Sequence, residues 1–232
     1  MNHNASSRNW SSIARRHPSA FLLAAQLLSL FLYVALEDKA VAGGQFILGA
    51  FGMLVLLLVV WVVLHSPAIN WIAWIIAALA ILVYLASWGT SNPALVIWAT
   101  LLEATLYFYG AGGLIVYMMG DEHVTTDDLF AAGATFTLIA WGFAYLYLVC
   151  QAWSPGAFSY AIHPQEPLSF IELLFLSFAN LSATGLSDII PVKSSSRVLV
   201  MLEQFAGVAY IAVVVSRLIG LTITRLRDKG TS

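Results

Sequence analysis

Long apolar runs, separated by short breaks of polar and turn-forming residues, dominate this chain. Five of them lie at about 18–36, 43–65, 70–88, 93–119 and 127–152, and a sixth at about 196–224. Each comes close to or exceeds the roughly 20 residues that a helix needs to span the hydrocarbon core of a bilayer. The breaks carry turn chemistry: Glu37-Asp38-Lys39 with Gly43-Gly44, Ser66-Pro67, Gly89 to Pro93, and Gly120 to Asp128. Pro67 and Pro93 stand where a helix should begin, because a first-turn N–H has no intrahelical partner to lose. No internal repeat and no low-complexity linker interrupts the pattern.

Between Trp153 and Arg197 the pattern changes. A polar stretch, Ser154 to Pro167, leads into an apolar run from Ser169 to Ala179 that is helical in character but only about half a span long. The segment Asn180 to Pro191 is poor in helix signal, and a full-length apolar helix follows it. Non-helical backbone at membrane depth is tolerated only where protein buries it or where it lines a water-filled cavity. A short helix, a small-residue turn and a long helix therefore predict a re-entrant loop.

Composition turns this pattern into a statement about solvent. Of 232 residues 60% are hydrophobic and 9% charged, where a soluble domain carries roughly 25% charged. Lipid is the solvent for most of this chain. A net charge of −2 gives no reason to expect a nucleic-acid partner. With both termini inside, seven basic residues are cytoplasmic (Arg8, Arg15, Arg16, Arg217, Arg225, Arg227 and Lys229), against Lys39, Lys193 and Arg197 outside. Arg8, Arg15 and Arg16 before an apolar run imitate a secretory signal. The run from Ala20 to Leu36 is long for a signal core, however, and no small-x-small site follows, so an uncleaved first helix is expected. Cys150 is the lone cysteine, so no intrachain disulfide or thiolate metal cluster can form.

Residues Phe175 to Pro191 read FLSFANLSATGLSDIIP, and Arg197 to Gly207 read RVLVMLEQFAG, with Ser216-Arg217-Leu218-Ile219-Gly220-Leu221 beyond. This resembles the pore signature of potassium-channel-type proteins, the tetrameric P-loop cation channels, over about Leu129 to Leu226. The resemblance implies an outer helix at 127–152, a pore helix at 168–181, a filter at 182–188 and an inner helix at 196–224, within a pore domain at 127–226. Segments at 18–119 form a four-helix peripheral domain, flanked by cytoplasmic ends at 1–17 and 225–232. It implies ion-filter residues Ser182, Ala183, Thr184, Gly185, Leu186 and Ser187, with Asp188 and Glu172 flanking. Thr184 and Gly185 would be the ligands of a permeant potassium or sodium ion. Pro191 matches the post-filter proline, Gly207 the hinge glycine of the inner-helix gate, and Glu203 the glutamate that related pores carry there. One chain supplies one strand of a filter whose carbonyls must replace an ion's hydration shell, so the resemblance implies a homotetramer in a lipid bilayer. No cofactor is implied beyond the monovalent cation.

The departures from that signature bear on selectivity. Ala183 stands where the family has a threonine, Leu186 where it has an aromatic, and Ser187 where it has a second glycine whose backbone is unfavourable for residues with a Cβ. The Thr-Gly-Leu-Ser string is similar to pore loops of the Trk/Ktr potassium-uptake proteins, which keep one glycine per loop. Pore architecture is expected, and strict potassium selectivity does not follow from it. A weakly selective sodium/potassium channel and a channel-like sensor or regulatory subunit with a non-conductive filter remain open, and lack of paired broken helices weighs against a transporter.

Several residues outside the filter carry two readings. Asp188 either concentrates cations or braces the filter, and Glu203 either supports the filter from behind or faces the outer helix. Glu172 suits a helix N-terminus. Glu103 is an intramembrane acid, either functional or hydrogen-bonded to a neighbouring helix. The stretch Gly120 to Asp128, with His123, either senses ions or protons or caps the next helix through Thr125 or Thr126. Segments one to four hold no Lys or Arg within their apolar spans, so voltage gating of the usual kind is not expected. Gly185-Leu186-Ser187 has no histidine in the helix after it to act as a base, so no enzyme is expected. The sequence thus predicts an all-α protein of six transmembrane helices with a re-entrant loop between the fifth and sixth. It is placed in the plasma (inner) membrane with both termini cytoplasmic.

Overall fold

A computed structural model of the chain describes residues 18–37, 70–90, 93–120, 125–162 and 167–230. Six helices are present among them: α1 (Pro18–Glu37), α2 (Asn70–Thr90), α3 (Pro93–Gly120), α4 (Thr126–Trp153), α5 (Phe170–Leu181) and α6 (Ser194–Gly230). The expected span at 43–65, the terminus at 1–17 and His123 lie outside the described residues. Three described helices are long and apolar enough to cross a membrane: Ala94–Gly120, Thr126–Trp153 and Ser194–Val214. The inner helix outruns its expected end at 224, because Arg225 to Lys229 offer good helix formers and no breaker before Gly230.

The expectation of a purely helical fold needs one correction. A two-stranded antiparallel sheet pairs β1 (Phe158–Tyr160) with β2 (Ile189–Pro191), with Phe158 opposite Pro191 and Tyr160 opposite Ile189. Three-residue strands are too short for an alternation of polar and apolar positions to mark them. The pairing is extended by Ala161 N–H to the Asp188 carbonyl (2.9 Å) and Val192 N–H to the Ala157 carbonyl (2.8 Å).

Helix α4 is the hub, packing against α1, α3, α5 and α6, while α2 rests on α3. Its start is fixed by Thr125, whose hydroxyl accepts from the Asp128 N–H (3.2 Å) while the Asp128 carboxylate accepts from the Thr125 N–H (2.7 Å). That reciprocal cap, and the suitability of Asp127 and Asp128 for the N-terminal dipole, account for this end of the acidic stretch. Buried polar bonds join α1 to α4: Ser19 Oγ donates to Asp127 Oδ2 (3.0 Å) and Thr137 Oγ1 to Gln26 Oε1 (2.6 Å). The core that α4 shares with α1 and α3 holds Leu22, Leu106, Tyr107, Leu138 and Phe143. Trp141 belongs to that core, whereas Trp71, Trp98 and Trp153 are exposed.

Helix α6 shows why one sequence makes two faces. Ser196, Val200, Glu203, Gly207 and Val214 are buried, and their alternating spacing of four and three (with Tyr210 half-buried in step) runs a stripe along one side. Met201, Phe205 and Val208 on the other side are exposed.

Candidate functional site

The site is built around a helix too short to cross. Helix α5 has 12 residues, about 18 Å at 1.5 Å per residue, against a hydrocarbon core of about 30 Å. Its start is set by a second capping box. The Ser169 hydroxyl accepts from the Glu172 N–H (3.4 Å), and the Glu172 carboxylate accepts from the Ser169 N–H (2.5 Å). The Tyr160 hydroxyl in β1 donates to the same carboxylate. Burial pushes the Glu172 carboxyl up, but the hydrogen bonds from Tyr160 and Ser169 outweigh it and leave it below the usual carboxylate range. Glu172 therefore sits at the far end of α5 from the loop it was expected to flank, as a cap.

The other end of α5 runs into residues 182–188, most of them exposed. Ser182 N–H donates to the Phe178 carbonyl (3.1 Å), Ala183 N–H to Asn180 (3.0 Å) and Gly185 N–H to Ala179 (3.0 Å). The hydroxyls of Ser182 and Thr184 lie 3.0 Å apart, and each reaches the Ala179 carbonyl, at 3.4 and 3.3 Å. The turn needs the left-handed region twice, at Gly185 (φ 65°) and at Ala183 (φ 57°). The strain anticipated at Ser187 is absent there and falls on Ala183. Ser187 N–H donates to the Gly185 carbonyl (3.0 Å), and its hydroxyl accepts from Ile189 N–H (3.1 Å). Leu186 projects outward, 76% exposed. Asp188 uses its backbone carbonyl in the sheet extension, and its exposed side chain makes no hydrogen bond to another described residue.

Behind the loop, Glu203 is fully buried. One carboxyl oxygen meets the Ser177 hydroxyl of α5 and the other the Tyr147 hydroxyl of α4. Asn180 Nδ2 donates to the Tyr147 oxygen (3.4 Å), and Ser177 Oγ lies 2.7 Å from the Ala140 carbonyl. Three helices thus meet at one carboxyl. Sequence reasoning singled out Glu203 but not Tyr147, Ser177 or Asn180. The signal lay in two polar residues three apart in an apolar run, which a helix places on one face.

Gly207 is a contact point. A Cβ placed there would stand 2.1 Å from the Leu181 carbonyl oxygen and 2.8 Å from its carbon, so α6 touches the last turn of α5 backbone to backbone. Residues 104–223, just over half of the chain, match an ion-channel family. The chain belongs to that ion-channel family. No curated protein sequence and no solved structure matches it. The matched stretch of this ion-channel chain runs from the middle of α3 through α4, α5, the loop and most of α6, so it contains the whole site. Glu103 falls one residue before it, half-buried on α3. Arg217, in the second half of α6, donates from Nε to the Met118 carbonyl (2.7 Å) in the last turn of α3, a cation on a helix C-terminus.

Proposed function

We propose that this chain is one of four identical subunits of a passive monovalent-cation channel, with potassium among its permeant ions. In this reading six helices span the plasma (inner) membrane, both termini are cytoplasmic, and α5 with residues 182–188 forms a re-entrant pore loop. The observation that carries it is the half-length helix α5 ending in an exposed loop of small and hydroxylated residues. The negative end of its dipole lies at that loop and favours cations. Thr184 and Gly185 are the proposed ion ligands, the exposed Asp188 carboxylate draws cations to the outer mouth, and the apolar face of α6 at Met201, Phe205 and Val208 meets lipid or neighbouring subunits.

A second reading has a specific observation in its favour. The Gly185 carbonyl accepts from Ser187 N–H, and the Ser182 and Thr184 hydroxyls fold back on Ala179. A loop closed on itself in this way suits a weakly selective or non-conductive filter better than a stack of carbonyls aimed at an axis.

The test is a liposome flux assay on the purified protein with opposed potassium and sodium gradients, together with native mass determination. Potassium-driven flux by tetramers is the expected result. Equal flux of both ions would favour the non-selective channel, and intact tetramers without flux the non-conductive form. A monomeric protein would remove the basis of the pore.

A further inference from the structure

The buried carboxyl of Glu203 poses a problem of proton count. Its Oε1 lies against the Ser177 hydroxyl, and that hydroxyl also lies 2.7 Å from the Ala140 carbonyl. A hydroxyl has one proton to give, while a carbonyl and an ionised carboxylate can only accept. With Glu203 ionised, two acceptors compete for the single Ser177 proton. With Glu203 neutral the conflict disappears: its O–H donates to Ser177, and Ser177 donates to Ala140. Tyr147 donates to the second Glu203 oxygen while accepting from Asn180 Nδ2 at 3.4 Å. The bonds then run from Asn180 to Ala140 with each hydroxyl donating once.

The surroundings favour the same state. From α4 the carboxyl faces Tyr147, with Cys150 one turn on, and from α5 it faces Ser177 and Asn180. No Lys, Arg or His among the described residues contacts it, and the side chain is 0% exposed. A buried carboxylate without a cationic partner is far more costly than a buried acid.

We propose that Glu203 is a positioning residue that acts as a neutral acid: its proton ties α6 to α4 and α5 at the root of the 182–188 loop, and losing that proton releases the loop and stops conduction. The conduction half rests on the pore reading above; the protonation half does not. Glu203→Gln is the informative variant, because an amide supplies the N–H for Ser177 and the carbonyl for Tyr147.

The experiment compares full-length wild type and Glu203→Gln in liposomes. The infrared difference spectrum should show, at neutral pH, a protonated-carboxyl stretch that belongs to wild type and vanishes at alkaline pH. A carboxylate band at neutral pH would overturn the proposal. Potassium flux through wild type should fall with rising pH, by about tenfold per unit beyond the midpoint, and flux through Glu203→Gln should stay level. A variant that titrates like wild type overturns the gating role. If neither protein conducts, the pore reading fails, and the spectrum with the melting midpoint still decides the protonation. Wild type should then lose stability as pH rises from the unfolded carboxyl value of about 4.3 toward the folded midpoint and level off above it, while Glu203→Gln does not, and parallel profiles would refute the assignment. Should Glu203→Gln misfold, Ser177→Ala should keep the protonated-carboxyl band but shift it; an unmoved band would overturn the contact.

Discussion

Ala183 holds a backbone conformation that suits glycine, with φ 57°. For a residue with a Cβ that conformation costs roughly 1–2 kcal/mol, partly offset by the extra unfolded-state freedom that glycine brings, about 0.5–1 kcal/mol. Ala183→Gly should therefore stabilise the protein by up to about 1 kcal/mol, read as a higher melting midpoint in detergent. A lower midpoint would count against a left-handed backbone at Ala183. Glu172 gives a pH dependence with a definite sign. Its folded-state carboxyl titrates below the usual range, so its contribution is complete above the unfolded value of about 4.3 and is lost as pH falls through the lowered folded value. Wild type should lose a small increment of stability as pH falls below about 4.3 that Glu172→Gln lacks; identical pH profiles would count against the Tyr160 and Ser169 bonds. Single residues were legible in the sequence where a local rule marks them, as Glu172 was at a helix start and the cap was narrowed to Thr125 or Thr126. Ala183 was not, because its φ is set by the route the chain takes from α5 to β2.

At the scale of elements, the contact between α6 and α5 makes a sharp contrast between two glycines. A methyl group at Gly207 would collide with the Leu181 backbone, whereas nothing lies within 4 Å of a Cβ placed at Gly220. Gly207→Ala should push α6 away from α5 and cost about 3 kcal/mol or more, while Gly220→Ala should be tolerated; thermal unfolding and flux of the two variants check this. Equal tolerance would show that α6 is free to slide at Gly207, as a hinge would be. The glycine stood out in the sequence through resemblance, but its burden is visible only when the neighbouring helix is in place. The helices themselves were legible to within about two residues at nearly every described end, since apolar runs bounded by Pro, Gly and capping residues are local signals. The β1–β2 pairing was not, because it joins residues as distant in sequence as Phe158 and Pro191 through backbone groups that any sequence possesses.

For the whole molecule, selectivity on the proposed pore reading is a property that one chain could not hold, since such a filter would need every copy of the loop at once. Leu186→Tyr with Ser187→Gly restores two features of the potassium-channel signature and should raise potassium over sodium selectivity, seen as a reversal potential moved toward the potassium limit in mixed salts. A conducting variant with an unchanged reversal potential would count against the alignment of residues 182–187 as a filter. The chain's membrane nature could be read from composition, whereas the hub position of α4 could not, because every apolar helix looks equally ready to bury itself in lipid. That hub has a consequence for how the protein is made. Gln26 and Thr137 are 111 residues apart, and at translation rates of 5–20 residues per second the second emerges on the order of ten seconds after the first. On the six-span reading, α1 would reach the membrane during that interval, before the partner for its buried amide has been synthesised. Early α1 would then either wait beside the insertion machinery or enter lipid with that amide unmatched, and a Gln26→Leu chain would be spared the choice.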